Sequence, residues 1–149
     1  MSLEQIVNDR IKDAMRQKDA DALRGLRAIK SAILLAKTAE GASDTLSETE
    51  EIKILNKLVK QRQDALTMYE SQNRTDLADK EKVEIVIIQE FLPKQLSETE
   101  LRAEVQKIIT QTGATSMKDM GKVMGAASKQ LMGKADGGSI SAMVKELLS

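Results

Sequence analysis

The sequence has no cysteine, histidine or tryptophan, and one residue each of proline, tyrosine and phenylalanine. Without cysteine there can be no disulfide and no thiolate nucleophile. Without cysteine or histidine the common zinc sites lose their ligands. Losing histidine also removes the side chain that most often moves protons near neutral pH. The aliphatic run Ile85-Val86-Ile87-Ile88 is far shorter than a membrane span, and the N-terminus lacks the apolar stretch of a secretory signal. These absences predict a cytoplasmic protein with no cofactor, no metal and no membrane association.

A surplus of one charge is also missing. The 23 basic residues balance 23 acidic ones, so the chain as a whole is not built to attract a polyanion. The balance is uneven along the chain: residues 94–149 carry 8 Lys and Arg against 6 Asp and Glu. Within that part Lys118, Lys122, Lys129 and Lys134 are accompanied only by Asp119 and Asp136.

What remains is 149 residues, 41% hydrophobic and 31% charged, a globular composition. A core without aromatic bulk must be made of Leu, Ile, Val, Ala and Met. Helix packing tolerates that better than a sheet, which favours aromatic and β-branched residues. The apolar periodicity agrees and predicts an all-α fold. Leu3, Ile6, Val7, Ile11 and Ala14 form one stripe, and Ala22, Leu26, Ile29, Ile33 and Ala36 a second. A turn is expected at Lys18–Asp21 and a loop at Gly41-Ala42-Ser43-Asp44. A long helix should carry Ile52, Leu55, Val59, Arg62, Leu66 and Tyr69 inward. The next, capped by Thr75 or Asp76, should carry Leu77, Val83, Ile87 and Phe91 inward and stop before Pro93.

Three sites have capping-box spacing: Ser2 with Gln5, Ser47 with Glu50 and Ser97 with Glu100. The last two belong to the repeated pentapeptide Leu-Ser-Glu-Thr-Glu, whose flanks do not repeat, so it reads as reused capping chemistry. The chain is expected to divide into an N-terminal helical bundle or hairpin domain, residues 1–93, and a small three-helix domain, residues 97–149. In the second, Leu101, Val105, Ile108 and Ile109 line the first helix and Gly113 ends it. Met117, Met120, Met124, Ala127 and Leu131 line the second, with Gly133 as its C-cap. Ile140, Met143, Val144 and Leu147 line the third, which starts at Ser139.

The C-terminal part holds the candidate functional residues. Glycine allows close approach of another backbone or a ligand, and two Gly-Lys pairs, Gly121-Lys122 and Gly133-Lys134, add a cation at such a point. A Walker loop is excluded: the required first glycine is Ser128, Ala135 stands where Ser or Thr is needed, and no strand precedes it. Gly121 and Gly125 share one helix face, suited either to close helix packing or to presentation to a partner. The segment Gly133–Gly138 reads as a glycine-rich turn joining two helices, with a phosphate cradle as the functional alternative. Arg27, Lys30, Lys60 and Arg62 are expected to pair with Glu81, Glu84 and Glu90 across the bundle. No nucleophile–base set, paired carboxylates or catalytic triad emerges, so no catalytic residue is assigned.

The segments Leu26–Ile33, Lys60–Ala65, Arg74–Ala78, Glu81, Glu84, Leu92–Leu96, Met120–Met124 and Gly133–Gly137, in this order and spacing, resemble the YqeY family. Phe91 departs from the family's usual Tyr before Leu-Pro. The C-terminal part is similar to the tail of the GatB component of aspartyl/glutamyl-tRNA amidotransferase (the GatB/YqeY domain). The resemblance implies a helical domain followed by a three-helix domain that contacts tRNA, with Lys118, Gly121, Lys122, Gly133 and Lys134 as the RNA-binding positions. It also brings a family label of carbon–nitrogen ligase with glutamine as amido-N-donor. The domains that perform amidotransferase chemistry have no counterpart here. The expected function is therefore a non-catalytic tRNA-binding or tRNA-associated protein. The alternatives are a protein–protein interaction module and an accessory component of tRNA amidation with a protein partner in that process. The scarcity of aromatics fits recognition of RNA shape and phosphates rather than stacking of unpaired bases.

Overall fold

The computed structural model describes residues 2–39, 41 and 45–149; the expected loop residues Ala42, Ser43 and Asp44 lie outside them. The described residues are all-helical. Seven α-helices run in the order α1 (Leu3–Arg16), α2 (Ala20–Thr38), α3 (Glu48–Ser71), α4 (Thr75–Gln89), α5 (Glu98–Thr112), α6 (Met120–Gln130) and α7 (Gly137–Leu148), with a 3-10 turn at Met117–Asp119 before α6. The chain separates into two compact units, the first ending at Leu92 and the second running from Pro93 to Ser149.

All three capping boxes form. Ser2, Ser47 and Ser97 each accept from the backbone N–H three residues on. Gln5, Glu50 and Glu100 reach back to the N–H of the cap. At Glu100 the hydrogen bond from the Ser97 backbone holds the carboxyl below its ordinary range, because it favours the charged form. The breaks also follow local chemistry. Lys18 and Asn73 take left-handed conformations at φ 55 and 58, and Asp19 then caps α2 by accepting from Ala22 N–H at 3.0 Å. Helix α4 differs from expectation. Its N-cap is Arg74, with no side-chain cap bond, because Asp76 is instead paired with the Arg74 guanidinium.

The first unit is built from α1–α4, with α2 packed against α1, α3 and α4 and α3 packed along α4. Its core contains Val7, Leu26, Ile29, Ile33, Leu55 and Ile88, all fully buried or nearly so. On α4 Ala78, Ile85 and Ile88 are buried, and the expected Ile87 is half-buried and packs against the core, as does Phe91 just beyond the helix. Val83 is exposed and Leu77 half-buried; the inward face is turned in part from the expected one, because a helix carrying four consecutive aliphatics offers more than one apolar stripe. Ile6 is likewise exposed. Tyr69, in the last turn of α3, is half-buried, and the Arg10 guanidinium lies 5.4 Å from the centre of the Phe91 ring while pairing with Glu90 at 2.8 Å.

Helix α2 comes close to α4 at Gly25. A Cβ built there would lie 2.9 Å from Ile87 Cγ2 and 3.0 Å from Ile87 Cβ. These atoms sit at the root of a β-branched side chain and cannot swing away.

Arg62 does not join the apolar stripe as an inert spacer. It is half-buried, its Nη1 donates to the Leu58 carbonyl at 3.1 Å, and its buried Nε has no protein partner. It faces Glu81, whose carboxyl is pushed up by burial and then by neighbouring Glu84, with Arg62 opposing both. The expected cross-bundle ion pairs do not form among the described residues: Glu90 takes Arg10, and Arg27, Lys30, Lys60 and Arg62 make no ion pair.

The second unit is a three-helix cluster of α5, α6 and α7. Its core holds Leu101, Val105, Ile108, Val123, Ala127, Leu131, Ile140 and Val144. Val123, fully buried, replaces Met117 in the expected α6 stripe, and Met117 is 44% exposed. Leu148 rather than Leu147 is buried at the end of α7.

Packing and burial in the first unit set the sign of two substitutions. Gly25→Ala should destabilise it by on the order of 1 kcal/mol, because overpacking outweighs alanine's ~1 kcal/mol helix preference; a urea titration monitored by tyrosine fluorescence measures this. Glu81→Gln should stabilise the protein at pH 7 relative to wild type. A carboxyl pKa raised in the folded state gives stability that is complete below the unfolded value and declines as pH rises through the folded value. The gain should therefore shrink between pH 7 and pH 4, and a gain that grows toward acid would refute the assignment.

Candidate nucleic-acid interface

The second unit brings one set of the candidate residues together and holds another apart. The first set lies on α6. Its core side is Val123, Ala127 and Leu131. At 3.6 residues per turn, Lys122 and Lys129 lie nearly in line on the opposite side, about 10 Å apart along the axis. Both are exposed, as is Lys118 in the 3-10 turn that leads into the helix. Gly121 and Gly125 flank this line and are also exposed. A Cβ built on either meets nothing within 4 Å. The glycine face is therefore not used for helix packing inside this unit; it opens outward.

Local sequence explains how this segment is held. Ser116 accepts from Lys118 N–H, and Asp119 Oδ2 accepts from Thr115 N–H at 3.0 Å. Asp119 is thereby turned back onto the preceding loop. Among the described residues no carboxylate pairs with Lys118, Lys122 or Lys129. Lys129, in the last turn of α6, completes the line; its spacing of seven from Lys122 was the signal that could have placed it among the site residues.

Gly133 and Lys134 are set differently. Helix α6 is capped at Leu131, two residues before the expected Gly133. Gly133 is buried and takes φ 78, the left-handed region that favours glycine. Its carbonyl accepts from the Gln95 side chain, and the Lys134 carbonyl accepts from Leu96 N–H at 2.8 Å. This turn fastens the segment leading into α5. The exposed Lys134 side chain lines a groove of about 380 Å³ with Leu96, Glu98, Asp136, Met143 and Glu146. Glu146 is paired with Arg102 at 2.6 Å.

Gly137 and Gly138 are not loop residues but the first turn of α7, which begins two residues before the expected Ser139. Asp136 caps that turn: its Oδ1 accepts from Ser139 N–H at 2.7 Å. A carboxylate thus already occupies the helix N-terminus where an anion would gain most from the backbone dipoles. The open face of α6 is the more favourable place for a polyanion, since it offers Lys122 and Lys129, unpaired among the described residues, with Lys118 in the turn just before the helix.

In class, this is a small two-unit helical protein carrying a basic, glycine-flanked helix face. The family model described as "Yqey-like protein" matches residues 4–148, nearly the full length, and the chain belongs to that family. An uncharacterised protein of Schizosaccharomyces pombe is 25% identical over 96 residues, covering 64% of this chain and 76% of the yeast protein.

The open space at Gly125 gives a prediction opposite in sign to that for Gly25. Gly125→Ala, in the interior of α6 with nothing to strike, should stabilise the second unit by up to ~1 kcal/mol. Chemical denaturation followed by far-UV circular dichroism, which sees both units, measures it.

Proposed function

We propose that the chain is a non-catalytic protein that binds folded RNA, tRNA being the expected partner, through the outward face of α6. The observation that carries this reading is the line of Lys122 and Lys129, with Lys118 in the turn before it, all unpaired among the described residues and beside Gly121 and Gly125, where no Cβ stands between helix backbone and ligand. Lysines supply phosphate attraction without reading sequence. The glycines let a phosphodiester strand lie close to the helix. Family membership and the likeness of the C-terminal part to the amidotransferase tail are consistent with this, and with a place in tRNA-linked chemistry in a cytoplasmic setting.

A protein-interaction role is the second reading. It is favoured by Met117, an exposed and adaptable side chain at the entry to the same face. Salt separates the two, since phosphate binding is driven by counterion release and apolar docking is not.

The test is binding of the full chain to unfractionated tRNA across a salt series. Lys118→Ala/Lys122→Ala/Lys129→Ala should weaken binding across many tRNAs and reduce the slope of log affinity against log salt by roughly one per lysine. Lys134→Ala should have a smaller effect than Lys122→Ala, because its groove also holds Glu98 and Asp136. Binding of wild type that is insensitive to salt would sink the RNA reading.

A further inference from the structure

The first unit carries a second basic surface, on α3. Lys53, Lys57 and Lys60 are exposed and spaced i, i+4 and i+7, so they fall on one line of the helix. At about 100° per residue this line lies opposite the side that buries Leu55 and Val59 in the core. It spans about 10 Å along the axis. None of the three lysines pairs with a carboxylate among the described residues. The acids at the start of α3 are directed elsewhere: Glu50 reaches back to Ser47 N–H, and Glu51 accepts from Leu3 N–H. Beyond Lys60 the line continues with Asp64, Thr67 and Ser71, so Asp64 marks its end.

This arrangement costs the helix stability. Lys53 with Lys57 and Lys57 with Lys60 are like-charge neighbours at i,i+4 and i,i+3, each unfavourable to the helix. Several basic residues elsewhere in the unit are relieved by acids, Arg10 by Glu90, Arg24 by Asp21, Lys37 by Glu4 and Lys82 by Glu70, whereas Arg27 and Lys30 are single cations on α2 rather than a row. Among the described residues the stripe on α3 makes no ion pair, and Asp64, one turn beyond Lys60, is the acid on its line. It also has no apolar residue among its lysines that would suit a membrane surface or a hydrophobic partner. Its complement is a regular, hydrophilic row of negative charges.

We infer that the Lys53–Lys57–Lys60 stripe of α3 is a phosphate-backbone docking surface for the same folded RNA, independent of the α6 face. The inference rests on the RNA-binding reading above and extends it to the first unit. The three lysines act as point charges on phosphates and supply affinity rather than sequence choice. Two separate basic helices then bind one polyanion in a chain whose net charge is zero, because no acid lies between Lys53 and Lys60 on α3 or between Lys122 and Lys129 on α6.

The experiment uses the full chain with unfractionated tRNA in a salt titration, and compares wild type, Lys53→Ala/Lys57→Ala/Lys60→Ala, the corresponding triple Arg variant, and the α6 triple variant. Alanine favours helix and relieves the like-charge pairs, so the α3 alanine variant should fold and melt at or above the wild-type temperature. It should nevertheless bind tRNA more weakly, on the order of tenfold at low salt, with a salt slope lower by about 2–3. The triple Arg variant should keep wild-type binding. If the α3 alanine variant binds like wild type while the α6 variant is weakened, the α3 assignment falls and the RNA reading stands. If wild type binds no tRNA even at low salt, both fall. If the α3 alanine variant keeps tRNA binding but loses affinity for phosphatidylserine vesicles that wild type binds, the stripe serves an anionic lipid surface and the inference is overturned.

Discussion

Helix α2 reaches α4 as closely as it does because residue 25 has no side chain. With Ile87 Cγ2 and Cβ 2.9 and 3.0 Å from where an alanine Cβ would stand, the two helices are closer here than a side chain at residue 25 allows. That distance allows Leu26 and Ile29 on one helix and Ile88 on the other to be sealed from solvent without any aromatic filler. A core of branched aliphatics has little reach, so its helices must come together where they can. The scarcity of tyrosine, phenylalanine and tryptophan and the presence of one buried glycine in α2 are two sides of a single packing solution.

The second unit uses glycine for other ends. Gly113 ends α5 in the left-handed conformation at φ 71, as the sequence suggested. Gly133 makes a buried turn fastened to the segment before α5. Gly121 and Gly125 leave a helix side bare. Only the last pair combines with unpaired lysines and free space. Electrostatics sorts the glycine–lysine motifs in the same direction: α6 presents cations alone, whereas the Lys134 groove mixes one cation with Glu98 and Asp136 and the N-terminus of α7 is already served by its own carboxylate.

Much of this could be read along the chain because the signals were local. The three capping boxes, the turns at Lys18 and Asn73 and the stop at Gly113 depend on a few adjacent residues, and the α5 stripe of Leu101, Val105, Ile108 and Ile109 is unambiguous. The all-α class follows from such signals. Where the reading slipped, two answers were locally equal. The aliphatic run Ile85–Ile88 allowed a rotated stripe on α4, and Met117 and Val123 both fitted the spacing of α6. Asp136 and Ser139 could each have started α7. Of the candidate interface, the Gly121–Lys122 region was visible as a motif, but the emptiness around its glycines was not. Nor was the turning of Asp119 toward Thr115. Which cations lack a partner is a property of tertiary placement, and no spacing rule reveals it.

The positions of the two aromatic residues have an optical consequence. Tyr69 and Phe91 both belong to the first unit, and residues 93–149 contain neither tyrosine, phenylalanine nor tryptophan. The three-helix unit therefore carries no chromophore beyond its amides. Ultraviolet emission and near-ultraviolet dichroism report on one half of the molecule and are silent about the other. A melting curve recorded on tyrosine can look complete while α5, α6 and α7 remain folded, or look untouched after they have come apart.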